Sequence, residues 1–204
     1  MNSEILQSKA RLRAEMLATL HRMPVQERLS ASAQVCARVQ QWAIWQQAKA
    51  VFFYAPSPEE VDIWPLLAIA KREGKHVVLP RFVPASRAYE GAEVEDLDTD
   101  IVVGHFSIRE PKRTKCTFPL NRLDLSLVPG LVFDGLGSRL GRGRGYYDRL
   151  LMTVSGIKCG IGWDAQLIPE VPVLAHDIKL DCILTPGHWF FASQTRSANE
   201  FTGK

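Results

Sequence analysis

Five short, largely apolar runs at residues 50–54, 76–79, 125–128, 157–163 and 182–185 constrain this chain most, because helical segments precede the first and lie between others of them. Short apolar runs bounded by turn residues read as strands buried on both faces. Strands of that kind alternating with helices form a parallel or mixed α/β sheet. A first helix is expected over residues 3–20, where Ile5, Leu6, Leu12, Met16, Leu17 and Leu20 recur at helical spacing and Lys9 and Arg13 form a basic ridge. A second follows Pro24, with Val25, Leu29, Cys36, Val39 and Ala43 on its apolar side. Both are expected to pack on one sheet. A third has Asp62 as N-cap, Pro65 in its first turn and Leu66, Leu67 and Ile69 on its apolar face before Gly74 closes it. Residues 84–104 mix charges with turn residues and give no firm assignment beyond a strand hint over 94–103.

Composition limits the function classes. With 204 residues and 46% hydrophobic content the chain can bury a core, and its net charge of +3 leaves room only for a local basic patch. No apolar run approaches the roughly 20 residues of a membrane span. Lys9, Arg11, Arg13 and Glu15 interrupt any signal-peptide core. Cys36, Cys116, Cys159 and Cys182 are scattered without a CxxC pair, which argues against structural zinc and a disulfide scaffold and fits a reducing cytoplasm, with a mitochondrial matrix the alternative.

Chemistry concentrates in residues 134–149, DGLGSRLGRGRGYYDR. Alternating glycines allow positive φ and close approach of backbone N–H groups to phosphate oxygens. The interleaved arginines add fixed charge and forked donors. An apolar strand precedes the loop, and a helix near Tyr146 would add its N-terminal dipole. Asp148 supplies an anionic oxygen suited to a magnesium ion on a nucleotide. The loop is neither a Walker A motif nor a dinucleotide fingerprint, since no GxxxxGK[ST] occurs and Leu140 stands where the third glycine belongs. The competing readings are a solvated Gly/Arg loop or an RG tract binding RNA. The modest net charge and the lack of aromatics between the arginines disfavour RNA.

The motif order Val128-Pro129-Gly130, Phe133-Asp134, Gly137 and residues 139–149, together with Lys9, Arg11 and Arg13, residues 59–62, residues 79–81, Glu110-Pro111, Asp164, Gln166, Pro169, His176-Asp177, Asp181 and Thr185, closely resembles the 5-formyltetrahydrofolate cyclo-ligase family. The resemblance implies a three-layer α/β/α domain with a mostly parallel sheet, of the NagB/RpiA/CoA-transferase type, over residues 1–190, followed by a polar tail over 191–204. It implies an ATP-dependent ligase closing 5-formyltetrahydrofolate to 5,10-methenyltetrahydrofolate through an iminium phosphate, with Mg²⁺ as cofactor. Its partners would be ATP and the folate, with no nucleic acid and no membrane, in a cytoplasmic monomer.

By that resemblance Lys9, Arg11, Arg13, Arg139, Leu140, Gly141, Arg142, Gly143, Arg144, Gly145, Tyr146 and Tyr147 would bind ATP. Arg142 and Arg144 would be catalytic. Ala55, Glu60, Phe106, Arg142 and Tyr146 would bind folate, and Asp148 and Asp177 the metal. On local grounds alone Lys9 and Arg13 are most simply a solvated helix face. Glu60 is equally an exposed or capping acid, Asp177 a turn cap, Phe106 a core aromatic, and the two tyrosines anchors of the helix start. A CoA- or sugar-phosphate-handling relative of the same fold rests on analogy alone.

Overall fold

A computed structural model describes residues 2–192, the side chains of Asn2 and Phe106 apart. In chain order its elements are α1 (Asn2–Arg22), α2 (Val25–Gln41), α3 (Ala43–Gln47), β1 (Ala50–Phe52), α4 (Trp64–Arg72), β2 (His76–Val83), β3 (Ala88–Val94), β4 (Ile101–Val103), β5 (Arg109–Pro111), β6 (Leu125–Pro129), β7 (Val132–Phe133), β8 (Arg139–Leu140), α5 (Tyr146–Leu151), β9 (Ile157–Ile161), β10 (Cys182–Leu184) and β11 (Trp189–Phe191). All five apolar runs became strands, and they pair in parallel in the order β2-β1-β6-β9-β10. Antiparallel β3 and β11 flank them, one on each edge.

Strand alternation sorts the side chains into two cores. Val51, Phe53, Val77, Leu79, Leu125, Leu127, Cys159 and Leu184 point to one face with Met16 and Leu20 of α1, Val35, Cys36 and Val39 of α2, and Leu66 and Leu67 of α4. Ala50, Phe52, Val78, Val128 and Ile183 point to the other with Leu150 and Leu151 of α5 and Leu180. Thus α1 and α2 do share one face of the sheet, and the expected layered α/β architecture is present. The second face is the thinner, covered by α5 and irregular chain.

Local expectations are refined at several points. Asp62 stands one residue ahead of the N-cap, which is Ile63, and caps by accepting the Trp64 N–H at 3.0 Å. Residues 84–104 hold the whole of β3, paired over its whole length with β2, and the short β4, which forms a separate ribbon with β5. The Gly/Arg segment is not all loop: Arg139 and Leu140 pair back on β7. The helix at Tyr146 is six residues long, fewer than two turns, so its dipole adds little to anion binding. The expected tail starts within β11, and residues 193–204 lie outside the described part.

The chain leaves β1 to form β2 on one side and returns to form β6 on the other side of β1. Beyond the carboxyl ends of β1 and β6 the two connections diverge, opening the crevice in which doubly wound sheets bind ligands.

Candidate active site

A cleft of about 750 Å³ lies at this switch point. Its floor is Tyr54 and Ala55 after β1, Pro80 in β2, and Pro129 and Gly130 at the end of β6. Buried Tyr54 and half-buried Tyr147 beside it are neutral: loss of solvent pushes both phenols well above their usual range. Tyr54 donates its hydroxyl proton to the Val61 carbonyl at 2.7 Å, which pins the acidic loop that follows β1.

One end of the cleft is basic. Lys9 and Arg13 come in from α1, while Arg139, Gly141, Arg142, Gly143 and Arg144 come from the β7–α5 connection. The solvated-face reading of α1 therefore fails at Lys9, which is only 4% exposed and forms an ion pair with Asp177. Arg13 Nε donates to the Gly141 carbonyl at 2.9 Å. Gly143 sits at φ 96°, which favours glycine, and a Cβ there would touch the Arg13 guanidinium at 3.3 Å, a contact that this flexible side chain relieves by a small shift. Arg11 does not line the cleft; it is exposed and faces Glu15 one turn along, at 3.6 Å.

Arg139 is a buried strut. It bonds Asp148 Oδ1 at 2.8 Å and the Pro129 carbonyl at 3.1 Å, and its guanidinium carbon lies 5.6 Å from the Tyr147 ring centroid. Asp148 and Asp177 both line this end. Burial pushes the Asp177 carboxyl up, but Lys9 and the Leu174 N–H outweigh it and hold the group below the usual range. Among the described residues no three His, Cys, Asp or Glu side chains gather as a metal cage. An ion here would be shared with a ligand's own oxygens.

The other end is acidic and aromatic. Glu60 is raised by burial, against the opposing pull of the Ser57 N–H at 2.9 Å and of Arg142. His105, Ile108, Glu110, Tyr89 and Tyr146 line the same end. Phe82 stacks on His105 with ring centroids 4.0 Å apart, and Phe82 and Tyr89 meet Tyr146 edge-on. Glu110 ties the β4–β5 ribbon to β2 by accepting the Phe82 N–H at 3.1 Å. The expected contact at Phe106 falls on a side chain outside the described part.

Arg142 joins the two ends. Its Nη2 reaches Ser57 Oγ at 2.9 Å and Glu59 Oε2 at 3.4 Å, and its Nε lies 3.6 Å from Glu60 Oε1. Ser57, Glu59, Tyr89, His105 and Glu110 were not singled out as site residues from sequence. The acidic pair 59–60 gave a partial signal, whereas β3 and the β4–β5 ribbon lie in or beside the segment without a clear period.

The sequence and the fold have counterparts among known proteins. The profile of the 5-formyltetrahydrofolate cyclo-ligase family matches residues 5–186. A probable 5-formyltetrahydrofolate cyclo-ligase of Schizosaccharomyces pombe is 30% identical over 194 residues, covering 87% of this chain and 95% of that one. The 5-formyltetrahydrofolate cyclo-ligase of Escherichia coli K12 is 36% identical over 131 residues, 62% of this chain and 72% of its own. The solved 5,10-methenyltetrahydrofolate synthetase of Aquifex aeolicus superposes with a TM-score of 0.84 at 31% identity, covering 93% of this chain and 95% of that one. With the signature residues 139–148 gathered along one cleft at the sheet's switch point, and the match running from α1 to the end of β10, this chain belongs to the 5-formyltetrahydrofolate cyclo-ligase family of enzymes.

Proposed function

We propose that the chain uses ATP to convert 5-formyltetrahydrofolate into 5,10-methenyltetrahydrofolate, releasing ADP and phosphate. The observation that carries this reading is a single cleft whose basic end suits a polyphosphate and whose acidic, aromatic end suits a pterin, with Arg142 between them. A pterin presents adjacent N–H donors, for which the Glu60 carboxylate is a matched acceptor.

An N-formyl oxygen is a poor leaving group, so it must first be activated. The formyl oxygen attacks the γ-phosphorus, the bond to ADP breaks, and an iminium phosphate results. N10 then attacks the formyl carbon and loses its proton, and the carbon–oxygen bond breaks to expel phosphate and close the ring. The protein needs no covalent nucleophile for this sequence. Cys36, Cys159 and Cys182 are buried, with burial and Asp62 pushing the Cys36 thiol up to about 12, and Cys116 is not among the cleft residues. Positioning and charge stabilisation carry the chemistry. Arg142 and Arg144 neutralise the transferring phosphoryl group, while Arg13 and the backbone of residues 141–145 hold the rest of the polyphosphate.

Magnesium fits this donor set. The ion takes one or two protein carboxylates and completes its shell with phosphate oxygens and water. Asp148 and Asp177, both on the basic end, supply that number. Held there with ATP, the ion would supply positive charge to the phosphates. On this reading the protein works as a cytoplasmic monomer without nucleic acid or membrane; no described helix is long and apolar enough to cross a bilayer.

The test is turnover of purified protein with MgATP, with and without 5-formyltetrahydrofolate. ADP, phosphate and the methenyl chromophore are expected in equal amounts, and none without the folate. ATP hydrolysis indifferent to folate, or nucleotide binding without turnover, would refute the reading.

A further inference from the structure

The chain leaving β1 runs Pro56-Ser57-Pro58-Glu59-Glu60-Val61, and its backbone is pinned from several sides. The Ser57 carbonyl accepts the Glu60 N–H at 3.0 Å, while the Ser57 N–H donates to Glu60 Oε2 at 2.9 Å. Arg28 donates to the Pro58 carbonyl at 2.6 Å, the Trp163 indole to the Glu59 carbonyl at 2.8 Å and the Tyr54 hydroxyl to the Val61 carbonyl at 2.7 Å. Prolines on both sides of Ser57 fix φ at two more positions. From this rigid turn Ser57 Oγ accepts from Arg142 Nη2 at 2.9 Å and donates to Glu59 Oε2 at 3.2 Å, and the same carboxylate oxygen lies 3.4 Å from Nη2. Burial raises the Glu59 carboxyl, but hydrogen bonds from its own N–H and the Ser57 hydroxyl, with Arg142, outweigh it and keep the group ionised. Nη1 of Arg142 takes part in none of these contacts. Arg142 itself is half-exposed and stands between Gly141 and Gly143, so nothing in its own loop orders it.

We propose that Ser57 and Glu59 are positioning residues, a clamp on Nη2 that orients Arg142 so that its Nη1 edge faces the transferring phosphoryl group. This rests on the proposed function, because it takes Arg142 to stabilise that group. Neither clamp residue touches the reacting atoms; both act through the guanidinium. A long side chain on a glycine-flanked loop samples many rotamers, and fixing it before the reactants meet removes that ordering from the activation step. The clamp also has an electrostatic cost, since the Glu59 carboxylate partly screens the charge that the phosphoryl group needs. Geometry and screening therefore predict opposite outcomes when Glu59 is neutralised, and turnover tells them apart.

The experiment measures kcat, the KM for MgATP and for 5-formyltetrahydrofolate, and the melting temperature in S57A, S57T, E59Q, R142A and the E59Q/R142A double variant of the full chain. S57A and E59Q are expected to lower kcat roughly ten- to hundredfold while both KM values stay at the wild-type level. The melting temperature should hold as well, because the turn is anchored through its backbone. S57T keeps the hydroxyl and should restore most of the loss. Since the clamp works only through Arg142, E59Q should remove nothing further once Arg142 is alanine. Unchanged turnover in E59Q overturns the clamp, and so does a rise, which is the result expected of a carboxylate that merely screens. An E59Q loss that persists in full in the R142A background also overturns it. These outcomes leave the ligase reading standing, whereas a wild type without folate-dependent turnover overturns both.

Discussion

Arg142 is half-exposed and hydrogen-bonded to Ser57 rather than packed in a core, so its charge can be removed without unfolding the chain. Arg142→Ala should lower kcat by roughly 10²–10³, the usual loss for one preorganised charge-stabilising donor. Circular dichroism and the melting temperature should stay near wild type, and unchanged turnover would take the residue out of the mechanism. Glu60 gives a pH prediction. Its carboxyl is raised by burial, and only the ionised form accepts from two adjacent pterin N–H donors at once, so folate affinity falls as pH drops through that raised value. The acid limb of kcat/KM for folate should therefore lie above the ordinary carboxylate range and vanish in Glu60→Gln. A limb at the ordinary position, or one persisting in the variant, would exclude Glu60 as its source.

Among the elements, the β7–β8 hairpin holds the chemistry-bearing loop, and its turn depends on Gly137. That residue has φ 81°, and a Cβ there would lie 2.3 Å from the Leu180 carbonyl oxygen, a backbone atom that cannot swing away. Gly137→Ala should cost at least about 2 kcal/mol, measured as a lower urea midpoint at constant m-value. Strands such as β1 were legible in the sequence because both their faces are buried, and every residue must then be apolar. Strand β3 was not, because AYEGAEV is half-buried at an edge and its acids find cations across the pairing, as Glu90 finds Arg81. The Gly/Arg loop was legible because glycine and arginine spacing is a local property. Its partners Ser57 and Glu59 were not, because their contact with Arg142 spans more than eighty residues.

At the scale of the molecule, α1 and the segment around residues 174–177 close the cleft from opposite ends of the chain, so ligand binding is linked to global stability. MgATP at a hundredfold excess over its Kd should raise the melting temperature by about 5–10 °C for a domain of this size. Chelating the metal should remove most of that shift, whereas an EDTA-insensitive shift would count against a magnesium-bridged nucleotide. The Lys9–Asp177 ion pair joins residues 168 positions apart, which has a consequence for how the protein is made. A ribosome adding roughly 5–20 residues per second needs on the order of ten to thirty seconds to travel from one partner to the other. For that interval Lys9 exists without its counterpart, although most of the core that holds Leu12, Met16 and Leu20 precedes Asp177 in the chain. The basic end of the cleft, which is built from both partners, is therefore completed only when nearly the whole chain has been synthesised.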